Sequence, residues 1–114
     1  MKITLLGNPL STNSIYKHHG KISYMSKEGK ELKISYQFQA KSQYHGELLK
    51  GELSVIIQLF FGDKRKRDYD NYGKLLNDSL QGIIFKDDSQ IMLATISKDF
   101  SKENPRIEIE INEL

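Results

Sequence analysis

The chain has 114 residues, with 17 Lys and Arg against 15 Asp and Glu, 38% apolar and 28% charged side chains, and no cysteine. That length points to one domain, residues 1–114, able to bury roughly two-thirds of the surface its unfolded chain exposes. The composition excludes a disordered chain, and the missing cysteines exclude disulfides, thiolate metal sites and cysteine nucleophiles.

No apolar run approaches the ~20 residues of a membrane-spanning helix. Met1 to Gly7 lacks the apolar stretch of a signal peptide, so the expectation is a cytoplasmic protein with no membrane partner. Ile3, Leu5 and Leu6 predict a short first strand, and the Gly, Pro, Asn, Ser and Thr of residues 7–14 predict a loop. Ile22 and Tyr24 alternate with polar residues and predict a second strand; His18 and His19 fall before it, in what reads as the same N-terminal loop.

Residues 26–45 fit two periods. Leu32, Ile34, Tyr36, Phe38 and Ala40 alternate, whereas Leu32, Tyr36, Ala40 and Tyr44 form a stripe four residues apart. A strand of about 20 residues would be unusual. Ser26 is a fitting N-cap, with Glu28 in the first turn, so the prediction is a helix. Residues 53–61 are the most apolar stretch and predict a central strand. Tyr72, Leu76, Leu80 and Ile83 then recur at helical spacing, with Asp70 as N-cap and Gly82 just past the end. Strands are predicted over residues 90–97 and 106–111, the latter alternating Ile with Glu. The order β-β-α-β-α-β-β implies a two-layer α/β (α+β) domain, a mixed sheet carrying two helices.

Charge is unevenly placed. Residues 1–86 hold 14 basic and 8 acidic side chains, while residues 87–114 hold 3 and 7. Such asymmetry favours a polyanion partner, and its densest piece is Lys64-Arg65-Lys66-Arg67, which also reads as a solvated loop. Asp68 and Asp70 follow immediately. In extended chain they point to the same side, and paired carboxylates repel unless a cation lies between them. A hard divalent ion such as Mg²⁺ would serve, because it takes oxygen ligands. Asp87 and Asp88 come one helix and a turn later; joining Asp68 and Asp70 requires that turn to climb back along the sheet. Plainer readings stay open at this point: Asp70 as a helix cap, Asp68 as a loop residue, Asp87-Asp88 as a polar turn, and Lys74 as the partner of Asp70 one turn away. His18 and His19 read as solvated.

The joint pattern narrows this. R-D-Y-D-N-Y-G-K at 67–74, a helix, Phe85, then D-D-S-Q-I at 87–91 resembles the RusA family of Holliday junction resolvases. Pro9, Ser11, Asn13 and Tyr16 match that family's P-x-S-x-N-x-x-Y segment, and Ser26, Glu28 and Gly29 match a further S-x-E-G. The resemblance implies a homodimeric endodeoxyribonuclease, dependent on Mg²⁺ (with Mn²⁺ as an alternative), that resolves four-way DNA junctions by paired incisions. It implies Asp68, Asp70 and Asp88 as metal-binding catalytic carboxylates and Lys74 as the catalytic lysine. Lys64, Arg65, Lys66 and Arg67 would face DNA, and Asn71 and Asp87 would support the site. Two other functions remain open on sequence: a branched-DNA-binding module that does not cut, and a nuclease of the same fold acting on other branched DNA.

Overall fold

Alternation of apolar side chains builds the sheet. In the computed structural model, which describes residues 1–114, Leu53, Val55, Ile57, Leu59 and Phe61 of one strand and Ile107, Ile109 and Ile111 of another are all buried on one face. The elements run β1 (Lys2–Leu6), α1 (Thr12–Ile15), β2 (Tyr16–His19), β3 (Ile22–Met25), α2 (Lys27–Gln43), β4 (Leu53–Phe61), α3 (Gly73–Leu80), β5 (Ile91–Phe100) and β6 (Arg106–Glu113). Two single 3₁₀ turns, Tyr69–Asn71 and Asp88–Gln90, precede α3 and β5.

Four strands form the main sheet in the order β1-β6-β4-β5. The pairs β1–β6 and β4–β6 are antiparallel and β4–β5 is parallel, so α3 lies in a crossover between parallel neighbours. A separate antiparallel hairpin pairs β2 with β3. Helices α2 and α3 cover one face, where Tyr36, Ala40, Leu75, Leu76 and Leu80 join the strand residues in one core. The two-layer α+β expectation therefore holds.

α2 follows the stripe rather than the alternation. Tyr36 and Ala40 are buried and Leu32 and Tyr44 pack partly against them, whereas Ile34 and Phe38 are 67% and 74% exposed. Ser26 caps the helix by accepting from the Gly29 N–H at 3.1 Å. Gln39 and Gln43 reach back along the free edge of β1: each side-chain amide both accepts from and donates to the backbone, of Leu6 and Thr4 respectively. That edge is covered by side chains instead of another strand.

Three expectations need correction. The N-terminal loop contains the one-turn helix α1, giving three helices, and His18 and His19 belong to strand β2. The strand predicted over 90–97 extends to Phe100. Asp70 does not cap α3: the N-cap position is Tyr72, with no side-chain cap bond. Tyr72 is buried with its ring edge-on to Phe61, centroids 5.2 Å apart. Anchoring that aromatic fixes how the chain enters the helix and leaves Asp70 within the preceding 3₁₀ turn. Gly82 does sit past the end of α3, with φ of +86°, a conformation that favours glycine.

Candidate nucleic-acid interface and carboxylate site

Two segments far apart in sequence face each other across a cleft of about 350 Å³. One is the N-terminal stretch with Asn8, Ser11 and Ser14; the other is the basic run with Asp68, Asn71 and Tyr72. Long-range hydrogen bonds hold them. The Asn8 side-chain Oδ1 accepts from Gly62 N–H at 3.0 Å, and the Thr12 hydroxyl donates to the Asn71 backbone carbonyl at 2.8 Å. Ser11 caps α1. Ser26 closes the hairpin below, its hydroxyl donating to Ser14 O at 2.9 Å. Gly29 is required by close approach: a Cβ there would lie 2.6 Å from Ile15 Cγ2 and 3.1 Å from Ile15 Cα. The two N-terminal motif pieces thus meet each other, and α1 props the turn carrying the acidic motif.

The basic run is shaped from inside. Asp63 accepts from the Arg65 backbone N–H at 3.0 Å and pairs with Arg67 Nη2 at 2.8 Å and Arg65 Nε at 3.3 Å. The Arg65 N–H, with the two guanidinium groups, holds its carboxyl below the usual range, against some desolvation. Arg67 also stacks on Phe61, 4.2 Å from the ring centroid, and donates to the Asp63 and Arg65 carbonyls. Its side chain is only 11% exposed. Lys64, Arg65 and Lys66 remain exposed, with Lys64 over the Phe100 ring. The four residues taken together in sequence therefore divide: three present cations outward and Arg67 organises the loop.

The aspartates divide in the same way. Asp63 is paired as above. Asp78 accepts from the Tyr16 hydroxyl. Asp87 accepts from the Ser89 hydroxyl at 2.5 Å, which chiefly holds its carboxyl below the usual range. Asp99 accepts from the Phe100 N–H at 2.7 Å. Of the remaining three, Asp68 and Asp70 take part in no side-chain hydrogen bond or ion pair, Asp88 meets only the side chain of the adjacent Asp87, and all are exposed. They do not converge on one point: no three His, Asp or Glu side chains form a metal-holding group. Asp68 lines the cleft described above, while Asp88 lines a second cavity of about 270 Å³ with Gly73 and Asn77 of α3 and with apolar residues of β4 and β5.

Asp88 nonetheless returns beside the first turns of α3. The Gly82 turn is closed by Gly82 N–H donating to Phe85 O at 2.7 Å, and the Asp88 N–H reaches Gln81 Oε1 at 3.3 Å. The residue that sequence reasoning left without a role is Gln90. Its Oε1 accepts from Lys86 and Asp87 N–H, completing a capping box with Asp87, and its Nε2 donates to Leu49 O and Gly51 O, both at 2.9 Å. The D-x-x-Q spacing at 87–90 was the available signal. Lys74 does not pair with Asp70; its ammonium lies 4.6 Å from the centroid of the Tyr16 ring. Burial and Asp78 raise the Tyr16 hydroxyl well above the ordinary tyrosine range, so it stays a donor.

The family model described as Endodeoxyribonuclease RusA matches residues 7–112, nearly the whole chain. The chain belongs to that family. It is also similar to YqaN, an uncharacterized protein of Bacillus subtilis (strain 168), with 47% identity over 49 residues. That match covers 43% of this chain and 34% of YqaN, so the chain spans about a third of that relative's length.

Proposed function

We propose that residues 1–114 act as one RusA-like nuclease domain that resolves four-way DNA junctions by paired incisions with a divalent metal ion, Mg²⁺ or Mn²⁺. The observation that carries this reading is the division of the aspartates. The three whose carboxylates no hydroxyl, N–H or guanidinium group of the protein engages are the three that fall on the family's catalytic motif positions. Exposed carboxylates that the protein does not engage stay free to take a metal ion or a metal-bound phosphate.

The donor set suits Mg²⁺, which prefers carboxylate oxygens, keeps several waters and commonly takes further ligands from phosphate, so it does not need a closed protein cage. Asp68, Asp70 and Asp88 would hold it. Bound there, such an ion would polarise a phosphodiester oxygen and lower the pKa of an attacking water. The protein's own groups do the rest. Lys64, Arg65 and Lys66 attract and seat backbone phosphates without reading sequence. Arg67 keeps their loop in shape at the rim of the same cleft. Lys74 offers a cation to the charge that gathers on phosphate during cleavage. Asn71 and Asp87 support the turns that carry the carboxylates.

Two related strands must be cut at a junction, which calls for two such sites; we therefore propose a homodimer. Apolar side chains left open on β5 and its neighbour, Met92, Leu93 and Ile56, are available surface for it. Sedimentation without DNA should give a species of twice the 13.2 kDa chain. The deciding experiment incubates the protein with junction, flap and linear duplex DNA, with and without Mg²⁺, and maps the cuts. Symmetric paired nicks in the junction alone, only with the metal, are expected. Equal cutting of duplex, or junction binding with no cleavage in Mg²⁺ or Mn²⁺, would overturn the reading.

A further inference from the structure

The surroundings of Lys74 contain a competition that the fold settles. On α3, Lys74 has a carboxylate one turn ahead, Asp78, and another one turn behind, Asp70. Within α3 the i,i+4 spacing to Asp78 favours an ion pair, and Asp70 is a near neighbour in the preceding turn, yet neither pair forms. Asp78 instead accepts the phenolic hydrogen bond of Tyr16, and the face of that same tyrosine lies under the Lys74 ammonium, 4.6 Å away. Tyr16 is half-buried at the junction of α1 and β2, where the Ser11 cap and the Ser26 bonds fix the backbone on either side of it.

The chemistry of the two possible partners differs. A carboxylate takes the ammonium's hydrogen bonds and neutralises its charge. An aromatic face attracts the cation through its quadrupole while leaving N–H donors directed elsewhere. One tyrosine thus does two things at once: its hydroxyl occupies the carboxylate that would capture Lys74, and its ring holds the ammonium with donors to spare.

We propose that Tyr16, held by Asp78, is a positioning residue that keeps Lys74 unpaired and available to a DNA phosphate. This rests on the reading of Lys74 given above and adds residues that act through it. Without the ring, the lysine falls back onto the freed Asp78 carboxylate.

The test is a set of single-turnover cleavage rates on saturating junction DNA with Mg²⁺. Lys74→Ala should slow cleavage about tenfold with little change in affinity. Tyr16→Leu should slow it by a similar factor, and adding Asp78→Asn to Tyr16→Leu should return part of the rate, because the competing carboxylate is gone. A merely structural tyrosine predicts the opposite, a double variant slower than either single one. Tyr16→Phe, which keeps the ring and cannot be dismissed as a folding failure, should lose less than Tyr16→Leu. On the protein without DNA, the Lys74 side-chain methylene protons should show an upfield ring-current shift in ¹H–¹³C spectra. That shift should persist in Tyr16→Phe and vanish in Tyr16→Leu. A full-speed Lys74→Ala would overturn the role of Lys74, and the inference with it. A slow Lys74→Ala beside a full-speed Tyr16→Leu, or no rescue by Asp78→Asn, would overturn the inference alone.

Discussion

Two regions of the chain meet at the cleft, and they differ in how completely they satisfy themselves. The N-terminal strut, Gly7 to Gly29, is tied to the rest of the chain by Gly7 to Pro105, Asn8 to Gly62, Thr12 to Asn71 and Tyr16 to Asp78, and to itself by Ser26 to Ser14. The carboxylates of Asp68 and Asp70 bond to nothing in the protein, and that of Asp88 meets only the neighbouring Asp87. Polar groups made for structure find partners within the protein. Groups left without partners and surrounded by a rigid frame hold free valence for a ligand. Substitutions on the two sides should therefore fail in different ways.

The largest expected effect is on the open side. Asp70→Asn should reduce cleavage to background while junction binding persists or tightens, since a negative charge is removed from beside phosphate. Its stability without metal should be unchanged or higher, because like-charge repulsion is relieved. Melting in EDTA and then in Mg²⁺ measures this: the wild-type protein should gain Tm from the ion and the variant should gain less. A variant that melts well below wild type in EDTA would place Asp70 on the structural side and break the contrast.

Next in size is a failure of the strut. Gly29→Ala places a methyl against Ile15, including its backbone Cα. Overpacking of this kind costs about 2 kcal/mol, or a fall in Tm of roughly 8 °C for a chain of this size. Cleavage per folded molecule should change little below the melting range. Calorimetry on the purified variant decides it; an unchanged Tm would mean that α1 moves freely against α2 and frames nothing.

How much of this contrast is legible in the sequence follows from range. β4, β6 and α2 are legible because their signals are periodic and local, and in α2 the four-residue stripe is the one that burial obeys. α1 and β2 are not, because their stability comes from bonds such as Thr12 to Asn71 and Tyr16 to Asp78, which join residues about sixty positions apart and leave no local period. The acidic motif is legible as a joint pattern of residue types. What each member does is not: residue types alone cannot separate Arg67, folded onto Phe61 and Asp63, from its exposed neighbours, and Asp70 looks like a cap until Tyr72 is seen to be the buried anchor.

The basic run gives a finer test. Neutralising Lys64 and Lys66 should weaken binding to junction and duplex by a similar factor and lower the slope of log affinity against log salt by up to ~0.9 per lost phosphate contact. Neutralising Arg67 should do something else, loosening the loop and lowering stability, because its guanidinium is already committed. A salt titration by fluorescence anisotropy, beside a thermal melt, separates them. If Arg67→Gln lowers the slope as Lys64→Gln does and leaves Tm alone, the division within the run is wrong.

The smallest effect concerns pH and isolates Asp63, the carboxylate that closes this loop. Its ionisation is displaced downward by the Arg65 N–H first and by the Arg67 and Arg65 guanidinium groups after it. A carboxyl whose folded value lies below its unfolded one adds stability above the unfolded value and loses that contribution as pH falls through the folded value. Over neutral pH the loop should therefore be insensitive to acid, and it should loosen only below the ordinary carboxylate range. The group is exposed, so solvent screens the pair and the stability change is small. The local readout is sharper: the Arg67 Nη2 hydrogens, which face Asp63, should stay slowly exchanging at neutral pH and broaden on acidification below that range, and in Asp63→Asn they should be broad at every pH. An Arg67 signal indifferent to both acid and the substitution would show that stacking on Phe61 alone holds the side chain, and Asp63 would then join the open carboxylates instead of standing against them.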